Sequence, residues 1–251
     1  MREAVQPMAK SDDIDKVAVL SGHFLLRDLP AEDLRRLASY ARPVRHPTHR
    51  VLFQKGDPGE GMMAVISGRV KIRCYSVDGK ELVLNVIKPG ELFGEIALLD
   101  AKPRTADAVT MESCELLVLE RRDFLPFLAN HPQACLHLLS VLCDRMRQTS
   151  QQLEDALFLD LAPRLARCLA RLAERFGKPV PDGIRIDVRL SQQELAAFVG
   201  MTRESVNKQL AAWRRDGLVG FSAGTVTIHD LAALRELSGI DDEGGGGCDG
   251  L

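Results

Sequence analysis

Gly94, Glu95, Arg104 and Thr105 could together bind an anionic, hydroxylated molecule. They lie in the stretch GELFGEIALLDAKPRTADAV, residues 90–109. Gly94 has no Cβ, so backbone N–H groups can approach a ligand closely there. The Glu95 carboxylate can accept hydrogen bonds from sugar hydroxyls. Arg104 offers a planar donor fork that matches a phosphate, and Thr105 adds a hydroxyl beside it. A second polar pair, Thr149 and Ser150, interrupts an apolar helical row. A hydroxyl in such a row is costly unless something satisfies it. Two readings stay open for Thr149: it bonds the carbonyl four residues back, or its notch faces a ligand. A third set is Arg203, Glu204 and Lys208, on one face of a helix. Arginine suits a bidentate contact with guanine, and glutamate can accept from cytosine N4. Gln192, Gln193 and Thr202 stand near helix N-termini, where phosphate contacts form.

The elements that position these groups follow from periodicity. Residues 1–13 are polar, and helical spacing at Ile14, Val17 and Leu20 predicts a helix within 14–29. Pro30 is expected at the first position of a second short helix. From Pro43 the period changes to short apolar runs: Val51–Phe53, Met62–Ile66, Val70–Tyr75, Leu82–Ile87 and Leu116–Leu119. Gly- and Asp-rich separators between them predict an all-β barrel or sandwich. Asp78-Gly79 is a hairpin signal. Asn85, on the strand after it, is a candidate pocket residue. The run 123–128 predicts a short helix, and Pro132 starts a long one. Leu139, Leu142, Met146, Thr149, Leu153 and Ala156 follow in steps of three and four, a heptad seam suited to a dimer contact. The alternative is one amphipathic helix packed on its own barrel.

Asp160 is expected to cap the next helix, with Pro163 in its first turn. Residues 184–188 alternate like a strand. Ser191 with Glu194 makes a capping box, Gly200 a turn, and Thr202 a second cap. Two helices so joined, the second with long polar side chains near its start, form a helix-turn-helix pattern. Residues 221–224 and 225–228 then predict a two-stranded wing.

Composition narrows the function class. The chain has 251 residues, formal net charge −2 and 45% hydrophobic residues, enough to bury more than one core. Residues 160–238 carry 12 Lys and Arg against 9 Asp and Glu, so a mildly basic module is masked by the acidic end with Asp241, Asp242, Glu243 and Asp249. The six cysteines, Cys74, Cys114, Cys135, Cys143, Cys168 and Cys248, show no metal-ligand spacing and are expected as reduced thiols. No apolar run approaches a membrane span and no signal-peptide pattern precedes the first helix, so a soluble cytoplasmic protein without membrane contact is expected. No paired carboxylates or nucleophile–base set points to an enzyme.

Three segments in order, FGEIALLDAKPRTA, RQTSQQLEDALFLD and MTRESVNKQL, resemble the CRP/FNR superfamily of bacterial transcription regulators, and within it the cAMP-receptor branch. The resemblance covers roughly residues 15–230. It implies an α+β protein: a cyclic-nucleotide-binding β-roll, jelly-roll-like, over 14–130, a dimerisation helix over 131–159, a winged helix-turn-helix DNA-binding domain over 160–238, and a flexible tail over 239–251. By the resemblance, Glu95 meets the ribose hydroxyl, and Arg104 and Thr105, with the backbone near Gly94, hold the cyclic phosphate. Thr149 meets the base from its own subunit and Ser150 across the dimer, with Asn85 lining the pocket. The implied effector is cAMP, without a metal. Thr105 keeps cGMP as an alternative, because a threonine after this arginine goes with cGMP in eukaryotic relatives. A family member sensing a non-nucleotide effector is the other alternative; there Glu95 and Arg104 would form a structural ion pair. Lys208 stands where the founding member has arginine, which would relax the half-site preference. An iron–sulfur oxygen sensor is disfavoured, because the N-terminal cysteine cluster of FNR-type members is not found. The implied partners are a palindromic operator in double-stranded DNA, a second copy of the chain, and RNA polymerase.

Overall fold

The structure is a computed structural model that describes residues 16–21, 30–222 and 224–239. The chain forms two compact units. One comprises Met1–Cys74 and Leu84–Gln148, the other Tyr75–Val83 and Thr149–Leu251. The division falls inside a long helix.

The first unit opens with helices α1 (Lys16–Ser21) and α2 (Ala31–Tyr40). Pro30 sits at the N-cap of α2 and not, as expected, at its first helical position. The expected helix beyond Ser21 lies outside the described residues. Two four-stranded sheets follow. One orders β1 (Arg42–His46), β8 (Cys114–Glu120), β3 (Gly61–Ser67) and β6 (Leu92–Phe93). The other orders β2 (Val51–Phe53), β7 (Asp107–Thr110), β4 (Val70–Tyr75) and β5 (Glu81–Ile87). Helices α3 (Glu95–Asp100), α4 (Arg121–Asn130) and α5 (Pro132–Phe158) complete the set.

The apolar runs are continuous because β3 and β8 are buried on both faces. On β3, Met63 and Val65 join the core between the sheets, with Val70, Ile87, Phe93 and Leu116. Met62 and Ala64 face the other way, into a core with Leu37 of α2, Phe124 of α4 and Leu138 of α5. On β8, Leu116 takes the first side and Leu117 and Leu119 the second. A one-residue slip would exchange the two cores, so register is strongly specified. Strands β1, β6 and β7 were not expected. Edge strand β1, RPVRH, buries only Val44 and carries a proline and charges, as sheet edges do.

In the second unit α6 (Leu161–Phe176) buries Leu165, Cys168, Leu169 and Leu172. Asp160 stands at its N-cap but makes no side-chain capping bond. Helices α7 (Gln192–Val199) and α8 (Arg203–Arg215) follow. The third sheet orders β11 (Val219–Ser222), β12 (Thr225–Ile228), β10 (Gly183–Ile186) and β9 (Gly177–Val180). Thus the wing strands sit where expected, within two residues; β12 pairs with β10, and β10 pairs on its other side with β9, a strand that was not anticipated. Helix α9 (Leu231–Ser238), also unanticipated, buries Leu234. No described helix is long and apolar enough to cross a membrane.

Candidate functional site

The short strand β6 ends at Phe93, and Gly94 turns the chain into α3 with φ 83°. That left-handed conformation is one only glycine adopts without strain. A Cβ at Gly94 would also come within 2.7 Å of the Arg104 Nη1 atom. Glycine is therefore required twice here, by the turn and by the arginine packed against it.

Glu95 is the first residue of α3, and only 2% of it is exposed. A buried carboxylate needs a compensating charge. The Glu95–Arg104 pair of the non-nucleotide alternative is not formed; the compensating charge comes from elsewhere. Arg145 of α5 donates to Glu95 Oε1 and to the Leu92 carbonyl. Glu95 Oε2 is buried with no hydrogen-bond partner. Arg145 was not singled out from the sequence. Its one local signal is that it precedes Thr149 by one helical turn.

Arg104 is also buried. Its Nη1 donates to the Gly94 carbonyl at 2.7 Å and its Nη2 to the Gly61 carbonyl at 2.5 Å. The guanidinium lies over the Phe53 ring, 4.2 Å from its centroid. Its Nε atom is buried without a partner. Burial pushes the Arg104 pKa down, and the Glu95 and Asp57 charges oppose that shift. Arginine stays charged through such a shift. Backbone bonds fix the residue to the neighbouring turn: Arg104 N–H donates to Asp57 O, and Gly56 N–H donates to Arg104 O, both at 2.8 Å. Phe53, Asp57, Gly61, Met63, Arg104 and Val118 line a cavity of about 650 Å³. That volume lies within the usual range for small-molecule sites. A larger cleft of about 890 Å³, along Pro58, Lys102, Pro103 and Leu125, contains none of the candidate residues.

The remaining candidates are less tightly gathered. Thr105 is exposed in the bend before β7. Asn85 is half-buried on β5, and its Oδ1 accepts from Val86 N–H at 2.9 Å. Thr149 and Ser150 are exposed on α5, in the segment that groups with the second unit.

The exposed apolar face of α5 includes Leu136, Leu139, Met146, Leu153 and Leu157. Cys143 and Ser150 are exposed at the intervening positions of the same row. The steps are again three and four, one position beyond the expected row at every second step. Of that expected row, Leu142 is half-buried, while Thr149 and Ala156 are exposed beside Ser150 and Leu157. The opposite face packs inward through Ala134 and Leu138.

In the second unit the expected capping pattern is present. Ser191 accepts from Glu194 N–H, and the Glu194 carboxylate accepts from Ser191 N–H. Gly200 turns the chain with φ 66°. Thr202 caps α8 by accepting from Ser205 N–H, and it also shares a hydrogen bond with the Ser205 hydroxyl. Arg203, Glu204 and Lys208 are exposed on α8, while Val206, Leu210 and Trp213 face the core. Gln193 is exposed and Gln192 half-buried at the start of α7. Among the described residues no group of histidine, cysteine and carboxylate side chains could hold a metal.

Comparison with known proteins finds two family models on the chain. Residues 43–131 match the cyclic nucleotide-binding domain, and residues 163–237 match the Crp-like helix-turn-helix domain. A CRP-like cAMP-activated global transcriptional regulator of Mycobacterium tuberculosis is 33% identical over 88% of this chain and 98% of its own. The cyclic AMP receptor protein of Thermus thermophilus is 32% identical over 87% of this chain and 98% of its own. Among solved structures, the c-di-GMP-responsive global regulator CLP of Xanthomonas campestris is 28% identical. It superposes with a TM-score of 0.70 over 80% of this chain and 100% of its own.

Proposed function

Because the chain belongs to the CRP/FNR superfamily of DNA-binding transcriptional regulators, we propose that its particular effector is cAMP and that it acts as a homodimer on a palindromic operator. The observation that carries this reading is the pair of buried charged groups around Gly94. Glu95 Oε2 and Arg104 Nε are both enclosed and both lack a partner. Leaving such atoms unsatisfied costs about 1–3 kcal/mol each. A cyclic nucleotide answers both: a ribose hydroxyl donates to the Glu95 carboxylate, and the cyclic phosphate accepts from Arg104. The residues present therefore fit the effector.

In this reading Arg104, Thr105 and the backbone at Gly94 hold the phosphate, and Arg145 keeps Glu95 aimed at the ribose. Asn85, Thr149 and Ser150 contact the base. Arg203, Glu204 and Lys208 read base edges, and Gln192, Gln193 and Thr202 contact phosphates. Thr202 can do so while its side chain caps α8, since backbone N–H groups at a helix start also bind phosphate. The two α5 helices pair through their exposed apolar rows, effector binding resets that pairing, and the α8 helices move into DNA-reading positions. RNA polymerase is the further partner.

Calorimetric titration with cAMP and with cGMP, combined with DNA binding in each state, tests the proposal. Saturable cAMP binding that raises operator affinity is expected, and Arg104→Leu should abolish it while the fold persists. Tighter cGMP binding would reassign the effector. If cAMP changes neither DNA affinity nor footprint, the switch is wrong.

A further inference from the structure

Helix α5 ends at an exposed apolar turn. Leu157 is 67% exposed and Phe158 80% exposed, so apolar packing does not hold this end. Polar groups from α6 do. Arg164, Arg167 and Arg171 are spaced three and four apart, which puts them on one face of α6. All three reach the last turns of α5. Arg167 Nη1 donates to Asp155 Oδ1 at 2.7 Å, and Arg171 Nη1 donates to Asp155 Oδ2 at 2.6 Å. Gln151 adds a longer bond to Oδ1, at 3.4 Å. Arg164 Nη2 donates to the Leu159 carbonyl at 2.5 Å and to the Ala156 carbonyl at 2.8 Å. Asp155 is only 2% exposed. Burial pushes its carboxyl up, but the bonds and charges of Arg171 and Arg167 outweigh that and hold it below the usual carboxylate range.

The same arginines continue to other elements. Arg167 Nε donates to the Ser238 carbonyl at the end of α9, at 2.8 Å. Arg164 Nη1 donates to the Val199 carbonyl at 3.2 Å. Val199 ends α7, directly before the Gly200 turn that leads into α8. One face of α6 thus joins the end of α5 to the ends of α7 and α9.

A buried ion pair is a poor source of net stability, since desolvation cancels most of its attraction. It is a good source of geometry. An apolar contact tolerates sliding, whereas a carboxylate bridged at both oxygens by two planar guanidiniums does not. We propose that Asp155 is a positioning residue that makes the end of α5, α6 and the helix-turn-helix move as one body, so that displacement of α5 reaches the recognition helix. The proposal rests on the reading that an effector acts through α5.

The test uses the full-length protein, Asp155→Asn and Arg171→Gln. Calorimetry reads cAMP affinity, and operator binding is measured with and without cAMP. Asp155→Asn should keep cAMP affinity within about twofold, as distant sites are nearly independent. Its gain in operator affinity on adding cAMP should shrink by about tenfold. Arg171→Gln keeps the Arg167 bond, so it should show a smaller loss, and the double variant should be non-additive. Should Asp155→Asn fail to fold, Arg171→Gln carries the test alone. Full retention of the cAMP-dependent gain in a folded variant would make the cluster a plain structural ion pair and overturn the proposal. An unsubstituted protein whose DNA affinity ignores cAMP sinks the effector reading first, and the clasp with it, because there is then nothing to transmit.

Discussion

Glu95 buries its carboxylate, and the cost of doing so explains Arg145. An uncompensated buried charge costs several kcal/mol, whereas an exposed ion pair contributes at most about 1. Arg104 spends both terminal nitrogens on the Gly94 and Gly61 carbonyls, so Arg145 supplies the hydrogen-bonded counter-charge. Arg145→Ala should therefore weaken cAMP binding about 10- to 100-fold, the worth of a hydrogen bond to a charged group. Arg145→Lys should recover part of the loss, and calorimetry reads both. Unchanged binding in Arg145→Ala would leave Arg145 a structural residue. Gly94, Glu95 and Arg104 were legible in the sequence because one local stretch carries all three, and residue type alone names their chemistry. Arg145 was not legible, because it arrives from a helix fifty positions on. There an arginine looks like part of a solvated face. Spacing likewise cannot tell which of two nearby cations a carboxylate will take: the Glu95–Arg104 pair of the non-nucleotide alternative is not formed, and Glu95 bonds to Arg145.

Elements announced themselves in the sequence where burial was two-sided or where caps were chemical. The continuous runs on β3 and β8, the Ser191–Glu194 box and the Gly200 turn are of this kind. The strands missed were β1, β6, β7 and β9. Each is short, charged or proline-bearing, and the first three exist through pairing with partners far along the chain, as β1 does with β8, whereas β9 pairs with its neighbour β10. A helix can carry two adjacent three-four rows, and on α5 the expected one and its neighbour are both largely exposed: Thr149 and Ala156 face out beside Ser150 and Leu157, and only Leu142 is half-buried. The row through Cys143 has a checkable consequence. In a parallel pair of α5 helices it sets Cys143 opposite Cys143, within reach of a disulfide. In a Cys248→Ser background, mild oxidation with copper–phenanthroline should give a covalent dimer on a non-reducing gel. Adding Cys143→Ser should remove that band. A band that persists would place the contact elsewhere on α5.

At the scale of the whole molecule, two-fold symmetry turns one recognition helix into a ruler. Each subunit offers a single α8 with Arg203, Glu204 and Lys208 exposed, and one such face can reach only a few base pairs. The surrounding module is mildly basic, and the chain as a whole is not. Sequence-independent attraction to phosphate is then weak, and tight binding has to come from engaging two half-sites at once. A symmetric dimer can do that only when the half-sites are separated by about 34 Å, one turn of B-DNA, so that both lie on the same side of the duplex. Lengthening the operator centre by about five base pairs rotates one half-site to the far side. Affinity should fall to that of a single half-site, and lengthening by about ten should restore part of it. Gel-shift titration in saturating cAMP reads the series. Equal affinity across all spacings would mean that each α8 binds independently, and the dimer would then carry no spacing information for an effector to set.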